Sequence, residues 1–286
     1  MLNKVNPFLR LMRLHQPTGI FLLLWPCLIS LNMANHGVLD IKLTIVFIIG
    51  SILMRAAGCI INDIIDYDID AKVMRTKNRP ITNGELSFSQ AIKLLISLLI
   101  AASLLLFFLN KTAIIISICS IFLIILYPFC KRFTYWPQLI LGLTFNIGVL
   151  VAWVTVRDSI DIPAILLYIG CIFWTLGYDT IYAYQDIKDD LNLGVKSTAI
   201  KFGNKTEKYL NNFYTITATM FVFAGNLAGI GAHYNLVIIF PVILLFWQIR
   251  TLQIDNPQNC ALRFKSNVLV GGLVFIATLL TRYLLW

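Results

Sequence analysis

The chain predicts an all-α integral membrane protein, nine transmembrane helices in one bundle with a cytoplasmic amino terminus, and three observations carry that prediction. The 286 residues are 58% hydrophobic and only 13% charged, with a mean hydropathy of +0.79, far from the roughly 25% charged composition of a soluble domain. Nine apolar runs approach the ~20 residues that a helix needs to cross hydrocarbon. Lysine and arginine gather in alternate loops, as cytoplasmic loops require.

In chain order the runs are Gly19–Ala34, Leu43–Ile61, Ala91–Leu109, Thr112–Cys130, Gln138–Val156, Pro163–Ala183, Asn212–Ala232, Leu236–Leu252 and Asn267–Trp286. The first is preceded by Arg10 and Arg13, one turn apart on an interfacial helix, where they read as anchors for anionic headgroups before they read as substrate contacts. Trp25-Pro26 is expected to close the first run early. The second run carries Arg55, seven residues before Asn62 and so about two turns away on the same face. An arginine at that depth is expected to face a cavity and to have a function there. After the second run, Arg75 to Ser87 is a basic loop with Pro and Gly turn signals that ends near a helix N-cap. The fourth run ends in Tyr127-Pro128-Phe129-Cys130-Lys131-Arg132, and Tyr135, Trp136 and Pro137 follow as an interfacial belt. Asn146, Trp153, Thr155, Tyr168, Trp174 and Tyr178 punctuate the fifth and sixth runs; taken singly they read as packing, taken together as an aromatic wall able to stabilise a cation. Gly194 to Gly203 is a further loop with hydroxyls and two lysines, and the last three runs complete the bundle.

On the nine-run arrangement one side collects Lys4, Arg10, Arg13, Lys72, Arg75, Lys77, Arg79, Lys93, Lys131, Arg132, five lysines between Lys188 and Lys208, Arg250, Arg263 and Lys265. The other side has Lys42, Lys111, Arg157 and Arg282. That bias puts the amino terminus in the cytoplasm and accounts for the net charge of +9 without a nucleic-acid partner. Residues 1–286 form a single domain, with 62–88 and 183–208 as cytoplasmic motif loops.

The chemistry lies in those two loops. Asn62-Asp63-Ile64-Ile65-Asp66-Tyr67-Asp68-Ile69-Asp70 places four acids at the end of the second run. If the helix continues through them, Asn62, Asp66 and Asp70 share a face with Asp63, which repels itself unless a cation sits on it. Asp179, Tyr182 and Asp186 repeat the register of Asp63, Asp66 and Asp70 farther along the chain, and Asp186 and Asp190 again stand four apart. Two helix ends could each offer a carboxylate pair to a hard cation such as Mg²⁺. The alternative is two solvated acidic loops, which recurrence at equivalent helix ends disfavours. Cations, carboxylates and aromatics at the mouth of a helical bundle fit a lipid diphosphate whose allylic C–O bond ionises out of reach of water.

Other chemistries find no support. Cys27, Cys59, Cys119, Cys130, Cys171 and Cys260 include no C-x-x-C pair, His15, His36 and His233 are isolated, and neither a G-x-x-x-x-G-K-[ST] nor a G-x-S-x-G string occurs. Met1 to Pro17 reads neither as a secretory signal nor as a transit peptide, so a bacterial inner membrane is the expected home.

Asn62-Asp63-x-x-Asp66-x-x-x-Asp70, Asp186-x-x-x-Asp190, Arg75-Thr76-x-x-Arg79-Pro80 and Lys196-Ser197-Thr198 together resemble the UbiA superfamily of intramembrane prenyltransferases, over residues 10–205. Arg13-Leu14-x-x-Pro17-x-Gly19 and Leu24-Trp25-Pro26 look most like its 4-hydroxybenzoate polyprenyltransferase branch, which serves ubiquinone synthesis. The resemblance implies a nine-helix bundle around a central cavity open sideways to membrane lipid. It implies Asp66, Asp70, Asp186 and Asp190 as ligands of Mg²⁺ and diphosphate with Asn62 and Asp63 in support; Arg79, Tyr127, Lys131 and Arg132 as contacts of the polyprenyl diphosphate; and Arg55 as the contact of the 4-hydroxybenzoate carboxylate. Asp189 beside Asp190 leaves the second motif open by one residue. Within the superfamily the acceptor could instead be a naphthoate, a homogentisate or a porphyrin. From another class, a divalent-cation channel or transporter would also use intramembrane acids, although acids at one mouth only count against it.

Overall fold

The computed structural model describes residues 6–231 and 233–283, with side chains to residue 280. Lys4, the side chain of Arg282 and the final residues of the ninth run lie outside the described residues. The described chain is helical: α1 (Pro7–Leu11), α2 (Thr18–Ala34), α3 (Ile41–Ile65), α4 (Tyr67–Asp70), α5 (Phe88–Leu105), α6 (Lys111–Phe133), α7 (Pro137–Phe145), α8 (Ile147–Arg157), α9 (Ile162–Ala183), α10 (Ile187–Leu193), α11 (Thr198–Phe202), α12 (Thr206–Leu227), α13 (His233–Val237), α14 (Ile239–Arg250) and α15 (Pro257–Tyr283).

Seven stretches among the described residues are long and apolar enough to cross a membrane. Of the nine expected spans, α2 and α12 fall outside that set. α2 has 17 residues, and α12 begins Thr206-Glu207-Lys208 and carries Asn211, Asn212 and Asn226. Both nonetheless pack lengthwise in the bundle, α12 along α9 and α2 between α8, α15 and α3. α2 also runs on through Pro26 to Ala34, contrary to the expected early stop. In a packed bundle the carbonyl freed by a proline finds other partners, so proline does not have to end the helix.

Two further breaks were not expected. The fifth span bends at Asn146, between α7 and α8. The Asn146 amide, fully buried, donates to the carbonyls of Gly142 and Cys171 and to Thr175 Oγ1, at 2.8, 3.1 and 2.8 Å. The helix does not continue through the first acidic cluster either: α3 stops at Ile65, Asp66 adopts φ −94° and ψ 8°, and α4 restarts at Tyr67.

Helices approach closely where glycine allows it. A Cβ on Gly177 would stand 2.1 Å from the Tyr214 ring, and one on Gly225 would stand 2.2 Å from the Tyr234 ring. Polar pairs cross the same core: Trp174 Nε1 donates to Asn267 Oδ1 at 2.8 Å, Tyr214 Oη to Gln248 Oε1 at 3.1 Å, and Asn32 Nδ2 to Thr278 Oγ1 at 2.8 Å. Such contacts bind helices where lipid is as apolar as leucine and the hydrophobic effect supplies no attraction. The α9, α12 and α15 side of the molecule is therefore closely packed. α5 differs. It packs on α3 and turns Ile92, Ile96, Ile100 and Leu104 outward.

Gly177→Ala should lower stability by about 1–3 kcal/mol, because the Tyr214 ring has to move. Gly58→Ala, inside α3 and with a Cβ that would meet nothing within 4 Å, should raise it by up to about 1 kcal/mol. Thermal unfolding in detergent micelles checks the pair, and equal losses would contradict the packing described.

Candidate functional site

Both acidic motifs sit at helix breaks, and the breaks aim them inward. The turn at Asp66 leaves carbonyls at the end of α3 without helical partners. Arg132 answers one of them, donating to the Ile65 carbonyl at 2.8 Å. The bend buries Asp63, Asp66 and Asp70 to 1%, 1% and 4% exposure. On the other side α9 ends at Ala183, Asp186 caps α10 with φ −114° and ψ 8°, and Gly194, at φ +68°, closes α10 in the left-handed conformation that glycine adopts without cost.

Of Asp63, Asp66, Asp70, Asp186 and Asp190, the first four are each met by a cation, and Asp190 has none within salt-bridge distance among the described residues. Lys131 Nζ lies 2.5 Å from Asp66 Oδ2. Arg79 bridges Asp63, at 2.9 Å, and Asp70. Arg13 Nη2 reaches both oxygens of Asp63 at 2.8 Å. Arg75 contacts Asp186 at 2.5 Å, donates to Tyr182 Oη at 2.8 Å and stacks 5.1 Å from the Tyr182 ring. The basic loop is thereby folded over the motifs. Thr76 Oγ1 donates to the Asp70 carbonyl at 3.0 Å, and Ser87 and Gln90 form the capping box that starts α5, the N-cap expected from the sequence.

Burial pushes the carboxyls of Asp66 and Asp70 above the usual range, against the pull of Lys131 and Arg79 respectively. Burial, with Asp186 next to it, pushes Asp190 up to about 7. Asp189 is a different kind of residue: its Oδ2 accepts the Met74 amide at 3.1 Å, tying the two motif loops together, while Asp190 lines the cavity. Of the two adjacent acids in the second motif, Asp190 is the one that faces the cavity.

The cavity holds about 1410 Å³. Its mouth is the charged cluster, with Asn62, Asp63, Asp66, Asp70, Arg79, Lys131, Asp186 and Asp190 in the wall. Its far arm is apolar, lined by Leu22 and Cys27 of α2, Phe47 of α3, Leu99 and Leu105 of α5 and Ile121 of α6. Arg55 stands between the two. Its guanidinium is 5.5 Å from the Phe145 ring and packs so closely on Gly19 that a Cβ there would lie 2.5 Å from Nε. Among the described residues it has no carboxylate within salt-bridge distance. Its electrostatic neighbours are Tyr127, Tyr178 and Tyr182, with Asp179 also within reach. A guanidinium without a carboxylate partner in a cavity wall is suited to an anionic guest.

Not every predicted residue reaches the cavity. Arg132, grouped by resemblance with the diphosphate contacts, is turned to the Ile65 carbonyl and the Phe129 ring and is absent from the lining. Arg10 and Arg13 are not headgroup anchors: Arg10 pairs with Glu85 at 2.7 Å and Arg13 with Asp63. Trp153 and Trp174 are packing residues of the core, whereas Tyr127, Tyr178 and Tyr182 face the cavity. Sequence reading used Asp179 only to establish the repeat. Its position in the lining was legible in that same register.

The acids suit a hard cation. Asp66 Oδ1 is buried without a donor, and the Lys131 ammonium touches Oδ2 outside hydrogen-bonding geometry, so the carboxylate keeps lone pairs free. Among the described residues no three of the acids converge on one point as they stand. The arrangement can receive a polyanion together with a metal at the mouth and a hydrocarbon in the arm.

The model of the UbiA prenyltransferase family matches residues 23–279. The chain is 41% identical over 273 residues, 96% of each protein, to a protein of Francisella tularensis subsp. tularensis named 4-hydroxybenzoate octaprenyltransferase. It is 42% identical over 278 residues to the mitochondrial 4-hydroxybenzoate polyprenyltransferase of Drosophila pseudoobscura pseudoobscura, covering 96% of this chain and 70% of that one. In fold it is similar to a UbiA homolog from Aeropyrum pernix K1, with a TM-score of 0.79 at 20% identity over 92% of this chain and 97% of that one. It is also similar to a UbiA homolog from Archaeoglobus fulgidus bound to GPP and Mg²⁺, with a TM-score of 0.73 at 16% identity over 98% and 100% of the two chains.

Asp190 generates a pH prediction. Its folded pKa of about 7 lies above the ordinary value, so the neutral acid is populated below about pH 7 and lost above it. A dication that needs the carboxylate must expel that proton, and its affinity should fall by about tenfold per unit below pH 7. Mg²⁺ titrations followed by thermal shift at pH 6, 7 and 8 measure this, and a flat profile would contradict it.

Proposed function

Because this chain belongs to the UbiA prenyltransferase family, we propose that it transfers a polyprenyl group from polyprenyl diphosphate to the ring carbon ortho to the hydroxyl of 4-hydroxybenzoate, with Mg²⁺, in ubiquinone biosynthesis. The observation that carries this reading is one cavity that joins two acid motifs and their cations, an arginine without a carboxylate partner, and an apolar arm. Relatives named for that donor class and acceptor support it.

Asp66, Asp70, Asp186 and Asp190 would hold the metal. The chemistry a hard dication would supply there is Lewis-acid neutralisation of the charge on the departing diphosphate. Lys131 and Arg79, already at the mouth, take up the diphosphate charge as the allylic C–O bond breaks and its electron pair departs with the diphosphate. Tyr127 and Tyr178, in the cavity wall, are placed to stabilise the cationic carbon, and the apolar arm keeps water from it. Arg55 pairs the acceptor carboxylate and so presents the ring. The ring carbon forms the new C–C bond and then loses its proton, restoring aromaticity. Asn62 completes the polar wall, and Arg132 acts by holding the end of α3.

The chain sits in a bacterial inner membrane with nine spans, α2 and α12 included, and a cytoplasmic amino terminus. The lysine and arginine bias supports that orientation, and it brings both motif loops to the cytoplasmic side.

Mass spectrometry of the product formed from geranyl diphosphate and 4-hydroxybenzoate tests the function directly: prenylated 4-hydroxybenzoate is expected, and prenylation of another acceptor in its place would overturn the assignment. Excess EDTA should abolish the product, and so should Asp66→Asn or Asp186→Asn in protein that still inserts; turnover near wild type in any of these conditions would remove the metal from the account. Arg55→Ala should cost on the order of 2–5 kcal/mol in acceptor recognition. The KM for 4-hydroxybenzoate then rises steeply while that for the prenyl diphosphate stays within a few-fold, and Arg55→Lys recovers only part of the loss. Equal weakening of both substrates would make Arg55 a leaving-group contact instead.

A further inference from the structure

Arg13 belongs to the amino-terminal segment, 50 residues in sequence from its partner Asp63, and nothing in the reaction outlined above uses it. Yet its geometry is costly. It stands at φ +58°, a conformation that side chains other than glycine avoid and that persists where the surroundings enforce it. Its guanidinium donates to its own segment at the Arg10 carbonyl, 3.0 Å away, and to both oxygens of Asp63. Asp63 is 1% exposed and Arg13 17%, so the pair is shielded from water and is no headgroup anchor.

The third member of the group is Arg79. One of its nitrogens, Nη1, bridges Asp63 and Asp70. Asp63 therefore serves two arginines with one negative charge. Were Arg13 absent, that carboxylate would lie against Arg79 alone and cancel its charge. With Arg13 present, Asp63 is neutralised by the guanidinium whose Nη2 meets both its oxygens and can hold Arg79 in place without consuming its charge. Asp70 is the other acid on Arg79, and it is the one assigned above to the metal. When Asp70 turns to that task, Arg79 remains anchored at Asp63 with a net positive charge facing the mouth.

We propose that Arg13 is a positioning residue, the counter-charge to Asp63 that keeps the cation of Arg79 available to the diphosphate of the prenyl donor. Asp63 is in consequence an anchor for two arginines and no ligand of metal or substrate. The inference rests on the donor-binding reading of the mouth and deepens it. Arg10 backs the same strut from the other side of the loop, pairing with Glu85 and donating to the Asn78 carbonyl at 2.7 Å, so the amino-terminal segment braces the basic loop next to Arg79.

The test is a charge cycle on the full-length protein in nanodiscs, with geranyl diphosphate as probe and its Kd measured both with Mg²⁺ and in EDTA, without acceptor. Arg13→Ala should weaken binding by about tenfold, the scale of one charge interaction in a partly shielded site, and should do so in EDTA as well. Arg13→Lys, which keeps the charge, should stay within about threefold of wild type. Arg13→Ala combined with Asp63→Asn removes the acid that needed balancing, and it should recover most of the affinity lost in Arg13→Ala alone. In turnover the KM for geranyl diphosphate should follow these Kd values while that for 4-hydroxybenzoate moves less than about twofold. A double variant that binds no better than Arg13→Ala, or Arg13→Lys as weak as Arg13→Ala, would show that Arg13 acts through shape and overturn the proposal. Wild-type protein that bound geranyl diphosphate but prenylated no 4-hydroxybenzoate would refute the proposed function, while the acceptor-free cycle would still decide the role of Arg13.

Discussion

A carboxylate at the edge of hydrocarbon cannot stand alone, and the mouth of this protein is built around that constraint. Desolvating a single charge costs several kcal/mol, yet Asp63, Asp66 and Asp70 are buried within eight residues of one another. Every feature of the surroundings answers them. The basic loop folds back to bring Arg79, with its Arg75 reaching Asp186 of the second motif; α6 ends with Lys131 pointing in, and the amino-terminal segment returns Arg13 at the expense of backbone strain. Asp190, which has no cation within salt-bridge distance among the described residues, is pushed by burial up to about 7 and so carries its proton part of the time near neutral pH.

This lattice of pairs also explains how a highly charged substrate can be taken up from a membrane. A diphosphate and a dication arrive as a nearly matched set of charges, and the acids and cations already present form the complementary set. On the function proposed above, binding would exchange partners: carboxylates would pass from ammonium and guanidinium to metal, and the released cations to phosphate. No bare charge has to be buried on the way, so much of the desolvation cost is met in folding. The apolar arm and the unpaired Arg55 lie beyond this zone, which separates the handling of charge from the recognition of the acceptor.

Much of this was legible in the sequence because membranes restrict what a chain can do. Apolar length gave most helices, the distribution of lysine and arginine suggested a common side for the motif loops, and the repeated acid register pointed to two helix ends that the fold does bring to one cavity. What stayed hidden depends on tertiary contacts. The break at Asp66 exists because Arg132 and Lys131 satisfy the turn from another helix. The bend at Asn146 exists because Cys171 and Thr175 receive its amide. Arg10 and Arg13 read as headgroup anchors because their partners, Glu85 and Asp63, are remote in sequence. α2 falls below the length of a free-standing span and α12 below its hydropathy, which helices packed against other helices can tolerate.

The exchange of partners is the central claim, and a structure of the protein with Mg²⁺ and a non-hydrolysable prenyl diphosphate tests it most directly. The account predicts that Lys131 has left Asp66 and Arg79 has left Asp70 for phosphate oxygens, with Arg13, Asp63 and Arg79 still joined and the carboxylates of both motifs gathered on the metal. A diphosphate bound with the Lys131–Asp66 and Arg79–Asp70 pairs intact would contradict it.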